Sequence, residues 1–153
     1  MSESETERPP HHFVMHLRVR NYEMDVLGHV NNAIYLHYLE QAAWEHSEYL
    51  GLTLTDYDRI GGIFILRRME IEYLRPAVVG DQLEISTWAD EMRGPRAVRK
   101  YEIIHIESGK PIVRATGLWA WVERSSGRPR PIPPFLLELF ARPADPTRGW
   151  QER

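Results

Sequence analysis

Residues 22–40 read Y-E-M-D-V-L-G-H-V-N-N-A-I-Y-L-H-Y-L-E, and the pattern changes character at the asparagine pair. Residues 21–31 carry Asp25, Gly28 and His29 without helical periodicity, which predicts a loop that Gly28 loosens. Asn31 and Asn32 are suited to capping a helix. From Asn32 onward Tyr35, Tyr38, Leu39, Ala42, Ala43, His46, Tyr49 and Leu50 fall on one face, while His37, Gln41, Glu45 and Glu48 fall on the other. Gly51 is a natural stop. The predicted helix is roughly 18 residues, ~27 Å long, and no other segment predicts one of that length.

A carboxylate, an imidazole and a helix N-terminus therefore meet at one point of the chain. Asp25 is a base, His29 a polar orienter, and the first helical turn offers unspent N–H donors with about half a positive charge. Hydrolysis of an acyl group needs those parts. Each residue also has a plain structural role. Asp25 can hold a turn by accepting from a loop N–H, and His29 can pack on the loop. Asn31 and Asn32 can act as caps alone, and Tyr35 and Tyr38 can be core or pocket wall.

On either side of this segment the chain reads as strands. Residues 13–20 alternate, with Phe13, Met15, Leu17 and Val19 to one side. Residues 54–62, L-T-D-Y-D-R-I-G-G, read as turns. Strands are then predicted at 63–74, 82–92, 96–107 and 112–123, with hairpin tips at Arg93-Gly94-Pro95 and Ser108-Gly109-Lys110-Pro111. In the first of these, Ile63, Ile65, Met69, Ile71 and Tyr73 are assigned to one face, and Arg67 breaks the apolar alternation. Residues 112–123 are apolar on both faces, as a central strand would be. A short helix is predicted at 134–141, opening on Pro134. One long helix with a largely antiparallel five-stranded sheet is an α+β architecture.

Composition sets the bounds. A chain of 153 residues with 42% hydrophobic and 27% charged residues is about one globular domain. The net charge of −3 and the lack of a basic run argue against a nucleic-acid footprint. With no cysteine there is no disulfide, thiolate metal site or cysteine nucleophile, which fits a reducing cytoplasm. None of the seven histidines shows a metal-ligand spacing, so no metal is expected. No apolar run approaches the ~18 residues of a membrane span. Residues 1–11 are expected to be a disordered arm, 12–142 a single domain, and 143–153 a flexible tail.

The pattern D-x-x-x-H-V-N-N-x-x-Y-x-x-Y-x-E from Asp25 to Glu40 resembles the hotdog-fold acyl thioesterases of the 4-hydroxybenzoyl-CoA thioesterase group, including tol-pal-associated members. The segments E-I-E-Y-L-R-P-A-V-V-G-D (70–81) and A-T-G-L-W-A-W-V (115–122) extend the likeness. The resemblance implies a sheet wrapped around the long helix and hydrolysis of acyl-CoA or acyl-carrier-protein thioesters without a cofactor. It implies a homodimer, or a tetramer of dimers, with strand 63–74 at the seam and the active site at the dimer interface. It puts the catalytic carboxylate on Asp25 and an oxyanion-binding N–H at about Asn32. Plant acyl-carrier-protein thioesterases resemble the same segment but carry an Asn where Leu27 stands here. Glu40 matches a second carboxylate position on the helix, which looks structural in this branch.

A thioester carbonyl is readily attacked, and the thiolate leaves without a strong general acid. Asp25 could activate water or attack directly to give a mixed anhydride. His29, Asn31, Tyr35 and Tyr38 are the expected neighbours of the acyl group. Coenzyme A brings phosphates, so Arg67, Arg93 and Arg96 are candidate contacts. The competing readings are a hotdog hydratase or dehydratase, which resembles a different His-containing loop rich in Pro and Gly, and a non-catalytic acyl-binding module.

Overall fold

The computed structural model describes residues 7–144. The expectations for residues 1–6 and 145–153 lie outside the described residues. The elements in chain order are β1 (Phe13–Arg18), α1 (Asn32–Tyr49), α2 (Leu54–Ile60), β2 (Gly62–Tyr73), β3 (Gln82–Arg93), β4 (Arg96–His105), β5 (Pro111–Glu123) and α3 (Pro134–Phe140). The five strands form one sheet in the order β1-β3-β4-β5-β2, with every neighbouring pair antiparallel. β5 is internal, as its two apolar faces predict. β1 and β2 are the edges.

α1 has both of its expected ends. The Asn31 side chain accepts from the Ala33 N–H at 2.9 Å. At the other end Gly51 adopts φ 86°, its N–H donates to Glu48 O, and the Leu52 N–H donates to Ser47 O. These two bonds satisfy carbonyls that the helix leaves unpaired, and only glycine takes that φ without strain. Tyr35, Tyr38, Leu39 and Ala42 are buried, and His37, Gln41 and Glu48 are exposed, so the predicted faces hold. The buried face lies against Met15, Leu83, Ile85, Ile103 and Val113 of the sheet. Each such side chain contributes about 1.5–3 kcal/mol. A second cluster beyond the helix C-terminus joins Tyr57 of α2, Trp121 of β5, and Leu136 and Phe140 of α3.

Three expectations are corrected. Residues 54–60 are helical, because Thr53 and Asp56 form a reciprocal capping box: Asp56 Oδ2 accepts from the Thr53 N–H at 2.8 Å, and Thr53 Oγ1 accepts from the Asp56 N–H at 3.4 Å. The single apolar face assigned to strand 63–74 is split. Leu66 pairs with Trp119 and Arg68 with Leu118, leaving Arg67 as the extra residue of a β-bulge. Ile63 and Ile65 therefore pair with Val122 and Ala120, whereas Met69, Ile71 and Tyr73 pair with Gly117, Ala115 and Val113 on the opposite face. Arg67 breaks the alternation because the backbone does, and it needs no buried partner.

The third correction concerns the arm. Residues 7–11 are ordered against the outer face of the sheet. Arg8 forms ion pairs with Glu84 at 3.0 Å and Glu102 at 2.9 Å, and His11 Nε2 lies 2.8 Å from Ala89 O. Glu102 is buried on β4 and requires cations, which Arg8 and Arg114 supply. Nothing local in the first dozen residues signals a partner that distant in sequence.

Candidate active site

The loop between β1 and α1 is built around one buried carboxylate. Glu23 Oε1 accepts from the Arg20 N–H at 2.8 Å and from the Tyr38 hydroxyl at 2.7 Å, and Arg20 Nη1 meets Oε2 at 3.2 Å. The Glu23 carbonyl accepts from the Asn31 N–H at 2.9 Å. The loop is thereby tied to the helix on both sides of Asp25. Burial and the adjacent Glu23 carboxylate push the Tyr38 phenol well up from its ordinary value.

Within that frame Asp25 makes a tight turn. Its N–H donates to His29 O at 2.7 Å, and its Oδ1 accepts from the N–H groups of Leu27 at 2.8 Å and His29 at 3.2 Å. Gly28 takes φ 76° to close the turn. The structural role weighed for Asp25 is thus real, and it occupies one oxygen. Oδ2 has no hydrogen-bond partner among the described residues. The backbone of His29 holds the turn, and His29 lines the same cleft as Asp25.

That cleft has a volume of about 280 Å³ and is walled by Asp25, Leu27, His29, Asn32, Tyr35, Tyr73 and Arg75, among others. Asn31 satisfies the Ala33 N–H and its carbonyl accepts from the Ile34 N–H, while the Asn32 N–H has no acceptor among the described residues. Asn32, with a free N–H at the positive end of α1, and Asp25, with a free carboxylate oxygen, thus line one cleft. The Tyr73 hydroxyl donates to Asn32 O at 3.0 Å, and Tyr35 Oη accepts from the Ala77 N–H at 3.0 Å. Both fix the cleft wall.

The structure brings together Asp25, His29, Asn32 and Tyr35, with Asn31 capping behind them. Tyr38 is turned to Glu23 in the core and does not line the cleft. Arg67 is exposed at the β2 bulge, and Arg93 and Arg96 are exposed at the β3–β4 tip, away from the cleft. Arg75 does line it, with Nη1 donating to Pro111 O at 3.0 Å. Its place after β2, beside Pro76, marked only a strand end in the sequence.

A second cavity, about 190 Å³, lies near the far end of α1 and shares no lining residue with the first. Its walls include Ala43, Trp44, Ile63, Phe64, Met92, Trp119 and Phe140, with Glu40 and Arg99 among its polar residues. Glu40, the second carboxylate candidate, therefore belongs to this cavity and not to the Asp25 cleft. Among the described residues no cluster of three metal-binding side chains occurs, and no helix is long and apolar enough to cross a membrane.

Known proteins resemble this chain in sequence and in fold. The acyl-CoA thioesterase YbgC of Helicobacter pylori is 31% identical over 134 residues, covering 83% of this chain and 98% of that protein. The chloroplastic acyl-acyl carrier protein thioesterase ATL2 of Arabidopsis thaliana is 27% identical over 124 residues, and the chain spans only 65% of that relative's length. The solved structure of the probable thioesterase YbaW from Escherichia coli superposes with a TM-score of 0.73 at 25% identity, covering 84% of this chain and 98% of that one. The fold is the hotdog fold expected from the sequence. Residues 19–140 match the thioesterase-like superfamily, a span that includes the Asp25 loop, α1 and all of the sheet except β1, and the chain belongs to that family.

Proposed function

We propose that the protein hydrolyses acyl-CoA thioesters, releasing a free acid and coenzyme A, with Asp25 as general base or nucleophile. The observation that carries this reading is that Asp25, whose Oδ2 is unbonded, and Asn32, whose N–H is unspent, line one cleft. The carboxylate attacks or activates water, and the helix terminus receives the charge that forms on the carbonyl oxygen. Losing one such donor typically costs about 10²–10³ in rate, so the backbone at Asn32 carries weight beside Asp25. The same chemistry applies to an acyl-carrier-protein thioester, the substrate class named for ATL2. A cysteine-free chain suits a reducing cytoplasm.

The working unit in this reading is a homodimer. β2 is an edge strand of twelve residues with an open row of backbone groups. Val26, Leu27, Leu36, Ile65, Leu66 and Tyr73 are exposed on or near the loop, the helix start and this edge. A second copy covers them. Antiparallel pairing of two β2 strands about Arg68 sets Ile63 of one protomer opposite Tyr73 of its partner. Tyr73 walls the Asp25 cleft and Ile63 walls the apolar cavity. Within one protomer the two sites share no lining residue, and their nearest helical residues, Tyr35 and Glu40, lie about 7.5 Å apart along α1. Across the dimer, the apolar cavity of one copy meets the cleft of the other and holds the acyl chain. The outer face of β5, with Leu118 and Ala120, leaves room for pairing of dimers.

Release of free thiol from saturated acyl-CoAs tests the reading. A hydratase cannot act on such substrates, and a binding module only sequesters them. No thiol release across saturated, branched and aromatic acyl groups, together with hydration of an enoyl-CoA, would replace it with the hydratase reading.

A further inference from the structure

Arg99 on β4 is a cation inside an apolar cavity, and its charge is only partly answered. Nη1 donates to His46 Nδ1 at 3.0 Å and to Thr87 Oγ1 at 3.1 Å, and the guanidinium carbon sits 5.7 Å from the centre of the Phe140 ring. Those two bonds use both protons of Nη1. Nε and Nη2 donate to no described residue, and no described carboxylate forms an ion pair with Arg99. A guanidinium has five N–H donors, and its Nε/Nη2 edge is the one that meets a carboxylate side-on with two parallel bonds. Thr87 gives its own proton to the Lys100 carbonyl at 2.9 Å, so it acts toward Arg99 as an acceptor.

The surroundings hold the cation in place without neutralising it. His46 is fully buried, stacked on Phe13 with ring centroids 5.3 Å apart, and set edge-on to Phe140 at 5.5 Å. With Nδ1 accepting from Arg99, the imidazole is neutral and its proton is on Nε2. Burial, aided by the positive charge of Arg99, keeps it neutral far below the usual histidine range, at about 2. Among the described residues Glu40 is the one carboxylate on the cavity wall, and it is exposed to solvent and screened. A half-buried cation with an unused bidentate edge, in a cavity walled by Trp44, Phe64 and Trp119, is poorly solvated and open to an anionic partner.

We propose that Arg99 is a specificity-determining residue that receives a carboxylate at the distal end of the acyl group, so that the preferred thioesters are ω-carboxylated. This rests on the apolar cavity being the acyl pocket of the proposed thioesterase. The aromatic and aliphatic walls take the methylene chain, and the Nε/Nη2 edge takes its end. His46 and Thr87 are positioning residues for the guanidinium.

The test uses the intact protein and matched pairs of non-hydrolysable S-alkyl-CoA thioethers, ending in methyl or in carboxylate, across a series of chain lengths. Binding is read from the fluorescence of Trp44 and Trp119 in the cavity. At the best length the carboxylate ligand should bind about 10–100-fold more tightly than its methyl partner, the size of a charge-assisted hydrogen-bonded contact. Arg99→Met should abolish or reverse that preference, and Arg99→Lys should keep part of it. Equal or tighter binding of the methyl ligands to the wild type at every length would overturn the proposal, whether or not the variants fold. So would a folded Arg99→Met protein with an unchanged preference. Hydrolysis of the matching acyl-CoAs is measured in parallel. If neither series is cleaved while the ligand preference holds, the hydrolase reading fails and the role of Arg99 stands.

Discussion

The Tyr38 hydroxyl donates to Glu23 Oε1 at 2.7 Å, in the core, and this bond couples the first turns of α1 to the loop that presents Asp25. Glu23 also receives the Arg20 N–H, and its own carbonyl receives the Asn31 N–H. A buried carboxylate deprived of a donor carries the full cost of its desolvation.

Tyr38→Phe should therefore destabilise the protein by about 1–3 kcal/mol, the usual cost of leaving a buried polar group short of a partner. Urea unfolding checks this. Because the same bond steadies the Asp25 loop, turnover should fall while the fold is retained. A variant as stable and as active as the wild type would show that the bond does not support the loop.

Much of this arrangement was legible in the sequence. The spacing from Tyr35 to Leu50 and the Asn and Gly punctuation marked α1 nearly to the residue, because amphipathic period and caps are local signals. Asp25, His29, Asn32 and Tyr35 share a cleft because they are close in sequence as well as in space. What escaped was non-local or one residue out of register. The Thr53–Asp56 capping box was hidden in a polar stretch that also reads as turn. The bulge at Arg67 reversed the faces on its N-terminal side. Arg8 finds Glu102 across 94 residues, and the sequence does not signal that Arg99 and His46 lie beside each other.

The β2 edge gives a second prediction. The wild type should be a dimer or a dimer of dimers at micromolar concentration by light scattering. Leu66→Glu should shift it toward monomer, since like charges would face each other near the twofold axis of the paired strands. Turnover should fall with the loss of the dimer, although the mutated residue lies outside both cavities. A fully active monomer would contradict the composite site.

His46 sets a pH dependence with a definite sign. Its folded value, about 2, lies below its unfolded value. Between those values the unfolded chain binds a proton that the folded protein refuses, so stability is full above the unfolded value and falls as pH drops toward the folded one. The contribution approaches about 1.4 kcal/mol per pH unit at most. Unfolding free energies measured from neutral pH down to pH near 4 should fall for the wild type. His46→Gln, which has no such titration, should show a shallower slope. Identical slopes would mean that His46 is protonated in the folded protein.

Gly62 opens β2 directly beneath the Trp121 ring, and a Cβ there would overlap the indole. Gly62→Ala should cost about 1–3 kcal/mol through overpacking, or displace Trp121 and deform the neighbouring wall of Phe64. Thermal unfolding, with tryptophan emission as a local probe, distinguishes the two. An unaltered melting temperature and spectrum would mean that the ring is not seated against this glycine.

The central claim is that Asp25 performs the chemistry at the start of α1. Its most direct test is thiol release from a saturated acyl-CoA by the wild type and by Asp25→Asn, with dimer formation verified for both. Asn keeps the shape and can still accept from the Leu27 and His29 N–H groups, so the turn survives while basicity is lost. The account predicts a fall in turnover of about 10²–10⁴ with little change in stability. Near-wild-type turnover in Asp25→Asn, with loss of activity in Glu40→Gln, would contradict it and move the reacting carboxylate to the wall of the apolar cavity.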